Sequence, residues 1–160
     1  SSTTKHMIGH LQTNKVKDAL KIFDVIQSVE SLKLASALDK AAEKMSRIVD
    51  ILVQVKTSGE KQKFGVPQKD AAVLLRQISK LDNVRVLGLM AIAPLTDERA
   101  VVRDCFRKLR GLRDQVINDL IGRKNIQMNF LSMGMSSDYQ IAIEEGSNMV
   151  RIGSAIFRNV

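Results

Sequence analysis

Val84-Arg85-Val86-Leu87-Gly88-Leu89-Met90 is the stretch that decides the fold, because it is an almost continuous apolar run of strand length. A second run, Ile51-Leu52-Val53-Gln54-Val55, has the same character. Strands that are covered on both faces lose the usual alternation of apolar and polar residues, and such strands are typical of parallel sheets flanked by helices. Both runs therefore predict buried strands of a parallel sheet.

The rest of the chain alternates short β-branched runs with longer amphipathic runs. Ser31 is a capping residue before one helical stripe, and Gly146 is placed to end another. Strand alternating with helix implies parallel strands joined by right-handed crossovers. We find no Pro/Gly-rich linker and no repeat, which favours a single domain over residues 1–160. The predicted strands are 6–9, 25–28, 51–56, 84–90, 128–132 and 150–153, and the predicted helices are 14–23, 31–45, 70–80, 98–120 and 137–145.

Two parallel architectures compete. An open doubly wound sheet binds its ligand near a glycine-rich first turn, but no G-x-G-x-x-G opens this chain. A TIM-type (β/α) barrel gathers its functional residues at the carboxyl ends of many strands. That distribution fits better, although only about six of the eight βα units are visible. The residues that follow or end the predicted strands are His10, Gln12, Asn14, Ser58, Gly59, Glu60, Met90, Pro94, Ser132 and Arg151.

Composition narrows the class of protein. The chain has 160 residues, enough to bury a core. Its single cysteine, Cys105, lies on a helical pattern and is expected to be a small buried hydrophobe. No apolar run approaches the ~20 residues of a membrane span, and no signal-peptide pattern opens the chain. These features favour a cytoplasmic protein with no membrane contact.

The net charge of +8 raises the question of nucleic-acid binding. The basic residues are scattered, apart from a group on the predicted helix 98–120, where Asp104 and Asp114 are interspersed. Aromatic residues for base stacking are few and tryptophan is absent. We therefore interpret the group as a solvated helix face and expect no nucleic-acid partner. Its members are Arg103, Arg107, Lys108, Arg110 and Arg113.

Two small-residue loops are the strongest candidates for a site. Leu131-Ser132-Met133-Gly134-Met135-Ser136-Ser137-Asp138 and Arg151-Ile152-Gly153-Ser154 both resemble strand ends that open into loops before helices. Backbone amides in such loops suit a phosphate group. An arginine on a buried strand needs a partner, because an unpaired buried charge is costly. The alternative is two ordinary strand-to-helix turns, with Arg151 in a surface ion pair.

Five motifs in a fixed order carry a resemblance to a known family. Together they resemble the pyridoxal 5′-phosphate homeostasis protein family, also called the YggS-like or proline-synthetase co-transcribed family. The likeness runs over essentially the whole chain. The motifs are Ile8-Gly9-His10-Leu11-Gln12-Thr13-Asn14-Lys15, Val53-Gln54-Val55-Lys56-Thr57-Ser58-Gly59-Glu60, Gly88-Leu89-Met90-Ala91-Ile92-Ala93-Pro94, Leu131-Ser132-Met133-Gly134-Met135-Ser136 and Val150-Arg151-Ile152-Gly153-Ser154-Ala155-Ile156-Phe157.

The resemblance implies a fold and a function. The fold would be a barrel like the N-terminal barrel of alanine racemase. Members of the family bind pyridoxal 5′-phosphate, have no established catalytic activity, and are thought to buffer or deliver the cofactor and to affect amino-acid and keto-acid balance. The expected protein is therefore a non-catalytic cofactor-binding protein, with neither catalytic residues nor a metal site. A racemase-like enzyme is the alternative, and it would need a second catalytic base, typically a tyrosine.

The resemblance also assigns roles to individual residues. Ser132 and the Met133 amide match positions that hold the phosphate, and Gly153 and Ser154 match the second phosphate loop, where many relatives have threonine in place of Ser154. Arg151 matches the arginine that faces the pyridine nitrogen. An arginine there keeps that nitrogen unprotonated and weakens the ring as an electron sink. Met90 is expected near the ring, or else as a plain core methionine.

One expected element is missing from the sequence. In the family the lysine that forms the Schiff base lies on the first strand, and the segments that resemble the first two strands do not occur here. Lys15 and Lys63 are poor substitutes, and Lys56, where relatives usually have asparagine, is a weak candidate for an imine. We therefore expect a fragment or incomplete sequence of a longer protein, with a naturally truncated chain as the alternative. Family members are monomeric, but a barrel without two strands has two open edges that could promote self-association.

Overall fold

The computed structural model describes residues 3–59, 64–120 and 122–157. Every strand pair in it is parallel, and the six main strands run β1-β2-β3-β5-β6-β7 across one sheet, with β4 beside β3. The strands are β1 His6–Met7, β2 Val25–Val29, β3 Val49–Lys56, β4 Val66–Pro67, β5 Val84–Met90, β6 Ile126–Met135 and β7 Met149–Arg151. The helices are α1 Val16–Ile22, α2 Leu32–Lys44, α3 Gln68–Ile78, α4 Arg99–Asp119, α5 Tyr139–Glu144 and α6 Ser154–Phe157.

The two faces of the sheet bury different sets of residues. The main core lies between the sheet and the helices, and it takes alternate residues of β3 such as Ile51 and Val53. The other face holds a small cluster made by Val25, Leu52 and Met90. Because successive side chains of a strand point to opposite faces, Gln54 and Lys56 share the face of Leu52. We call this the inner face, since it corresponds to the interior of the predicted barrel.

The predicted element order is confirmed, and all six predicted strands are present. Ser31 caps α2 through a hydrogen bond from the Leu34 amide (3.2 Å). Gly146 has a φ of +97°, as expected of a residue that ends a helix, and Cys105 is buried. Within the described ranges, the sheet is an open parallel arrangement rather than a closed barrel.

The structure differs from the prediction in short elements, which are too brief to show a periodic pattern in the sequence. The two-residue strand β4 was not predicted, and neither was the one-turn helix α6, which begins at the predicted loop residue Ser154. The last strand is Met149–Arg151, so Ile152 and Gly153 lie beyond it. Glu60 and Lys63, which the sequence singled out, lie outside the described residues.

Gly88 lets β5 and β6 approach each other. The register between the two strands shifts between Val86 and Gly88, which marks a bulge. A Cβ atom at Gly88 would overlap the carbonyl oxygen of Phe130. Glycine is therefore required at this point, and the bulge sets the register that places Met90 beside Ser132 at the carboxyl end of the sheet.

In the described ranges, every helix is too short or too polar to cross a membrane.

Candidate functional site

Arg151 and Ser132 form the centre of the site. Ser132 lies near the end of β6, and Arg151 ends the neighbouring strand β7. One guanidinium nitrogen of Arg151 donates to the Ser132 hydroxyl (2.6 Å), and the other donates to the carbonyl oxygen of Ala91 (2.8 Å). The arginine therefore connects the carboxyl ends of β5, β6 and β7, which is where parallel sheets place their functional residues.

The contacts of Ser132 continue across the sheet to its first strand. The buried Ser132 hydroxyl donates to the Gln27 side-chain oxygen (2.5 Å). The Gln27 amide nitrogen lies 2.9 Å from the Nδ1 atom of His6 and 3.3 Å from the sulfur of Met149. A polar chain thus runs from β1 through β2 to β6 and β7. Sequence reasoning missed Gln27 and His6, although a glutamine inside the run Val25–Val29 was a usable signal.

Arg151 carries a charge that has no ion-pair partner among the described residues. Among the described residues, no carboxylate lies within ion-pair distance of its guanidinium group, and both of its hydrogen-bond acceptors are neutral. Burial lowers the pKa of Arg151 to about 10, while the charge of Asp138 acts in the opposite direction. The group stays protonated at neutral pH. A largely desolvated cation whose hydrogen-bond acceptors are neutral favours an anionic or electron-rich ligand.

Two backbone amides of the second loop point at a single oxygen atom. The amides of Gly153 and Ala155 donate to the Ser136 hydroxyl, at 3.3 and 3.2 Å. Ser154, between them, is exposed and begins α6. The Gly153 backbone has open space where a Cβ atom would be. These donors fit a phosphate oxygen, because amides at a strand-to-helix turn bind anions well.

A cavity of about 1010 Å³ opens beside these amides. It is enclosed by the segment 92–97, the loop 135–138 and the start of α6. Gly153 and Ser154 line it, whereas Ser132, Arg151 and Met90 do not. The structure therefore brings the predicted residues together as two neighbouring groups: an arginine–serine pair on the inner face and an amide loop at the cavity wall.

Met133 and Met90 have different surroundings. The Met133 side chain belongs to the main core, and the residue as a whole is fully buried. Met90 is also fully buried, but it belongs to the small inner-face cluster and lies opposite Ser132 in the strand register. Met90 is thus a packed methionine next to the site.

The loop between β6 and α5 is held by local contacts. Gly134 has a φ of +100°, and a Cβ atom there would lie 2.7 Å from the Ala142 Cβ and 3.0 Å from the Tyr139 Cα. The Asp138 carboxylate accepts a hydrogen bond from the Met135 amide (2.7 Å). Only glycine allows the loop to turn this close to α5. The turn fixes Ser136 and Asp138 at the cavity wall.

Helix α5 is fastened to α4 by one buried carboxylate. Glu145, 4% exposed, accepts from Arg103 (2.6 Å) and Arg107 (3.1 Å), and its backbone carbonyl accepts from Arg110 (3.2 Å). The Arg103 and Arg107 guanidinium groups hold the pKa of Glu145 below its usual range. The basic group on α4 is therefore largely paired within the protein, which the sequence pattern did not reveal. The absence of a nucleic-acid partner stays a prediction.

Among the described residues, neither Lys15 nor Lys56 is hydrogen-bonded to Arg151 or Ser132 through its side chain. Lys15 is exposed in the 3-10 turn Thr13–Lys15. Lys56 is the last residue of β3 and is partly exposed. In the sheet order, β5 lies between β3 and β6.

Comparison with known proteins identifies the fold class of the domain. The sequence model of the alanine racemase N-terminal domain matches residues 2–159. An alanine racemase structure from Clostridium difficile has a TM-score of 0.78 at 17% identity, covering 96% of this chain and 39% of that one. At this identity the likeness shows the fold alone, which confirms the predicted relation to the alanine racemase barrel.

Relatives of higher sequence identity identify the family of this chain. Pyridoxal phosphate homeostasis proteins of Aquifex aeolicus and Synechocystis are 42% and 34% identical, over 95% of this chain and 65% and 68% of theirs. The structure of PipY from Synechococcus elongatus with PLP bound has a TM-score of 0.87 at 35% identity, covering 96% of this chain and 70% of that one. The chain belongs to the pyridoxal phosphate homeostasis protein family. It spans about two thirds of the length of the curated relatives that it matches.

Proposed function

We propose that this protein binds pyridoxal 5′-phosphate without catalysing a reaction and serves cofactor homeostasis and amino-acid and keto-acid balance. Arg151 is the observation that carries the proposal. It is a desolvated cation whose protein acceptors are neutral, and it lies beside amides that already converge on an oxygen atom. An anionic heteroaromatic ligand would meet both features. The family membership and the PLP-bound structure of PipY support the same ligand.

Each group in the site has a part in holding the ligand. The amides of Met133, Gly153 and Ala155 and the hydroxyls of Ser132 and Ser154 are the donors for the phosphate. Arg151 is the donor for the ring nitrogen, and Met90 packs near the ring. We propose further that residues 1–160 belong to one partial barrel domain, that the protein is cytoplasmic, and that the lysine bonding to the cofactor is absent from this sequence.

The proposed lack of catalysis rests on the chemistry of arginine. Bound pyridoxal 5′-phosphate supplies an electron-accepting ring, whose strength depends on the group facing the ring nitrogen. Arg151 is charged at neutral pH and donates hydrogen bonds only, so it leaves that nitrogen unprotonated. Tyr139 is the sole tyrosine in the sequence, and it begins α5 beside Gly134 rather than on the inner face. Nothing in the site favours the racemase alternative.

A charge placed at Gly153 tests the phosphate assignment. Because a Cβ atom at Gly153 meets nothing within 4 Å, both Gly153→Asp and its control Gly153→Ala are expected to fold. We expect the aspartate to weaken pyridoxal 5′-phosphate binding by more than about tenfold through charge repulsion, whereas the alanine changes it little. The measurement is an absorbance titration of the full-length protein.

Pyridoxal, which lacks the phosphate, is the second ligand in this titration. The aspartate should leave its weaker binding unchanged, because no phosphate is present to be repelled. Equal weakening of both ligands by Gly153→Asp would contradict the assignment of this loop to the phosphate. Racemisation of alanine by the intact protein would contradict the non-catalytic part of the proposal.

A further inference from the structure

A second polar groove lies between α3 and α4, at the carboxyl end of β3. Its volume is about 690 Å³, and it shares no lining residue with the cavity beside Gly153. The residues that matter below are Lys56, Thr57, Ser58, Gln68 and Lys69, all of which line it. The groove is therefore separate from the site assigned to pyridoxal 5′-phosphate.

Two hydroxyl groups in this groove lack hydrogen-bond partners. Thr57 is 3% exposed, and within the described part of the chain its Oγ1 atom has no partner. The buried Oγ atom of Ser58 also has none there. Proteins rarely leave buried hydroxyls unpaired, because such groups lose their hydrogen bonds to water on burial. Two neighbouring unpaired hydroxyls at the wall of a groove point to a polar ligand that both can contact.

The beginning of α3 adds donors to the same wall. The helix runs for 11 residues from Gln68, and its N-cap, Pro67, provides no side-chain cap. The first amides of a helix have no partners within the helix and favour an anion. Gln68 and Lys69 belong to this first turn and line the groove. The acidic Asp70 lies in the same turn but is not among the lining residues.

The charges at the groove have one sign. Lys56, Lys69 and Lys108 line it, and none of its described lining residues is acidic. Lys108 is held by an ion pair with Asp104 (2.6 Å), which lies on α4 one turn earlier. Among the described residues, Lys56 and Lys69 have no ion-pair partner. An anion in the groove would therefore meet these two lysines, the first turn of α3 and two hydroxyls.

We propose that this groove is a second anion site, which binds a phosphate group, either free or as a phosphate monoester. The Thr57 and Ser58 hydroxyls and the first amides of α3 donate hydrogen bonds to the phosphate oxygens, and Lys56 and Lys69 provide the counter-charge. The proposal does not depend on the function assigned to the Gly153 site, because the two sites share no residue.

A titration followed by amide NMR shifts tests the proposal on the full-length protein. The probes are inorganic phosphate, pyridoxal 5′-phosphate and pyridoxal. We expect inorganic phosphate to shift the amides of Gln68 and Lys69, and pyridoxal to leave them in place. If pyridoxal 5′-phosphate shifts them as well, the site accepts monoesters, and if it does not, the site takes the free ion. Shifts at Gly153 report the other site separately.

Two variants and a control decide whether the groove itself binds. Lys69→Gln and Thr57→Val are each expected to weaken phosphate binding by about fivefold or more, as followed by the amide shifts at positions 68 and 69. The first variant loses a charge-assisted contact, and the second loses a hydrogen-bond donor. Lys33→Gln removes the same charge from an exposed position on α2 and should change nothing. Equal affinities in all three variants, or no shift at Gln68 and Lys69 with inorganic phosphate, would overturn the proposal.

The stability of Thr57→Val provides an independent readout. Because the Thr57 hydroxyl has no partner within the described part of the chain, an isosteric methyl group should leave the melting temperature unchanged or raise it. A clearly lower melting temperature would show that the hydroxyl is already satisfied, which would remove the main support for a ligand here.

Discussion

Replacing Arg151 by methionine separates a residue kept for a ligand from one kept for the fold. Burial lowers the pKa of Arg151 to about 10, roughly two to three pH units below the ordinary arginine value, which corresponds to about 3 kcal/mol. This is the cost of keeping the charge in the folded protein without a ligand. Since the folded pKa is the lower one, the cost applies in full at every pH below about 10.

Arg151→Met removes this cost, but it also removes two hydrogen bonds, which offset part of the gain in stability. The Ser132 hydroxyl and the Ala91 carbonyl each lose one donor, at about 0.5–1.5 kcal/mol per hydrogen bond. Ser132 keeps its bond to Gln27, so it is not left unpaired. The balance is a free energy of unfolding that is unchanged or higher by about 1–2 kcal/mol. At the same time the variant should lose most of its affinity for pyridoxal 5′-phosphate.

The assay is urea unfolding at pH 7, with and without pyridoxal 5′-phosphate. The native protein should gain stability from the cofactor, because a ligand that binds only the folded state adds to its stability, and Arg151→Met should not. Arg85→Met is the matched control, since Arg85 makes a two-point contact with Asp50 (2.6 and 2.9 Å). The control should be less stable than the native protein at pH 7. A loss of several kcal/mol in ligand-free Arg151→Met would refute the reasoning and assign Arg151 to the fold.

Three further predictions concern the framework of the site. Glu145→Gln should lower the free energy of unfolding by about 1–3 kcal/mol at pH 7, and the difference should shrink below about pH 4. The reason is that the lowered pKa of Glu145 gives stability that is present above the ordinary glutamate pKa and lost as pH falls. Gly88→Ala should prevent or strongly weaken folding, measured by circular dichroism, because its methyl group overlaps the Phe130 carbonyl. Ser31→Ala should lower the free energy of unfolding, measured with urea, by about 1 kcal/mol, because the Leu34 amide at the start of α2 loses its hydrogen-bond acceptor.

The larger helices and strands were predictable because the sequence pattern that indicates each of them lies within the element itself. The apolar runs at Ile51 and Val84 have the length and composition of buried strands, and Ser31 stands directly before an amphipathic stripe. These signals are local, so they need no knowledge of the rest of the chain. The strand β4 has only two residues and no periodicity, and its pairing with Val55 and Lys56 depends on a loop closure that no local pattern specifies.

The site was predictable only in part. The small residues at Ser132 and Gly153 mark the loops, and these loops do lie at neighbouring strand ends. The partners of Ser132 were not predictable, because Gln27 is 105 residues away and reaches it only after the sheet has formed. The same holds for the clamp on Glu145, whose arginine partners lie 38 and 42 residues earlier in the chain.

Whether a basic side chain attracts an anionic ligand depends more on its ion pairs within the protein than on the number of basic residues around it. The densest basic group lies on α4, yet Arg103 and Arg107 bind Glu145, Lys108 binds Asp104, and Arg113 binds Asp114. Neutralised cations have little attraction left for an external anion. Arg151 is a single arginine outside any basic run, but it is desolvated and faces neutral acceptors. A largely desolvated cation of this kind is costly unless something compensates it, so the isolated arginine, and not the basic helix, is the stronger support for the proposed ligand site.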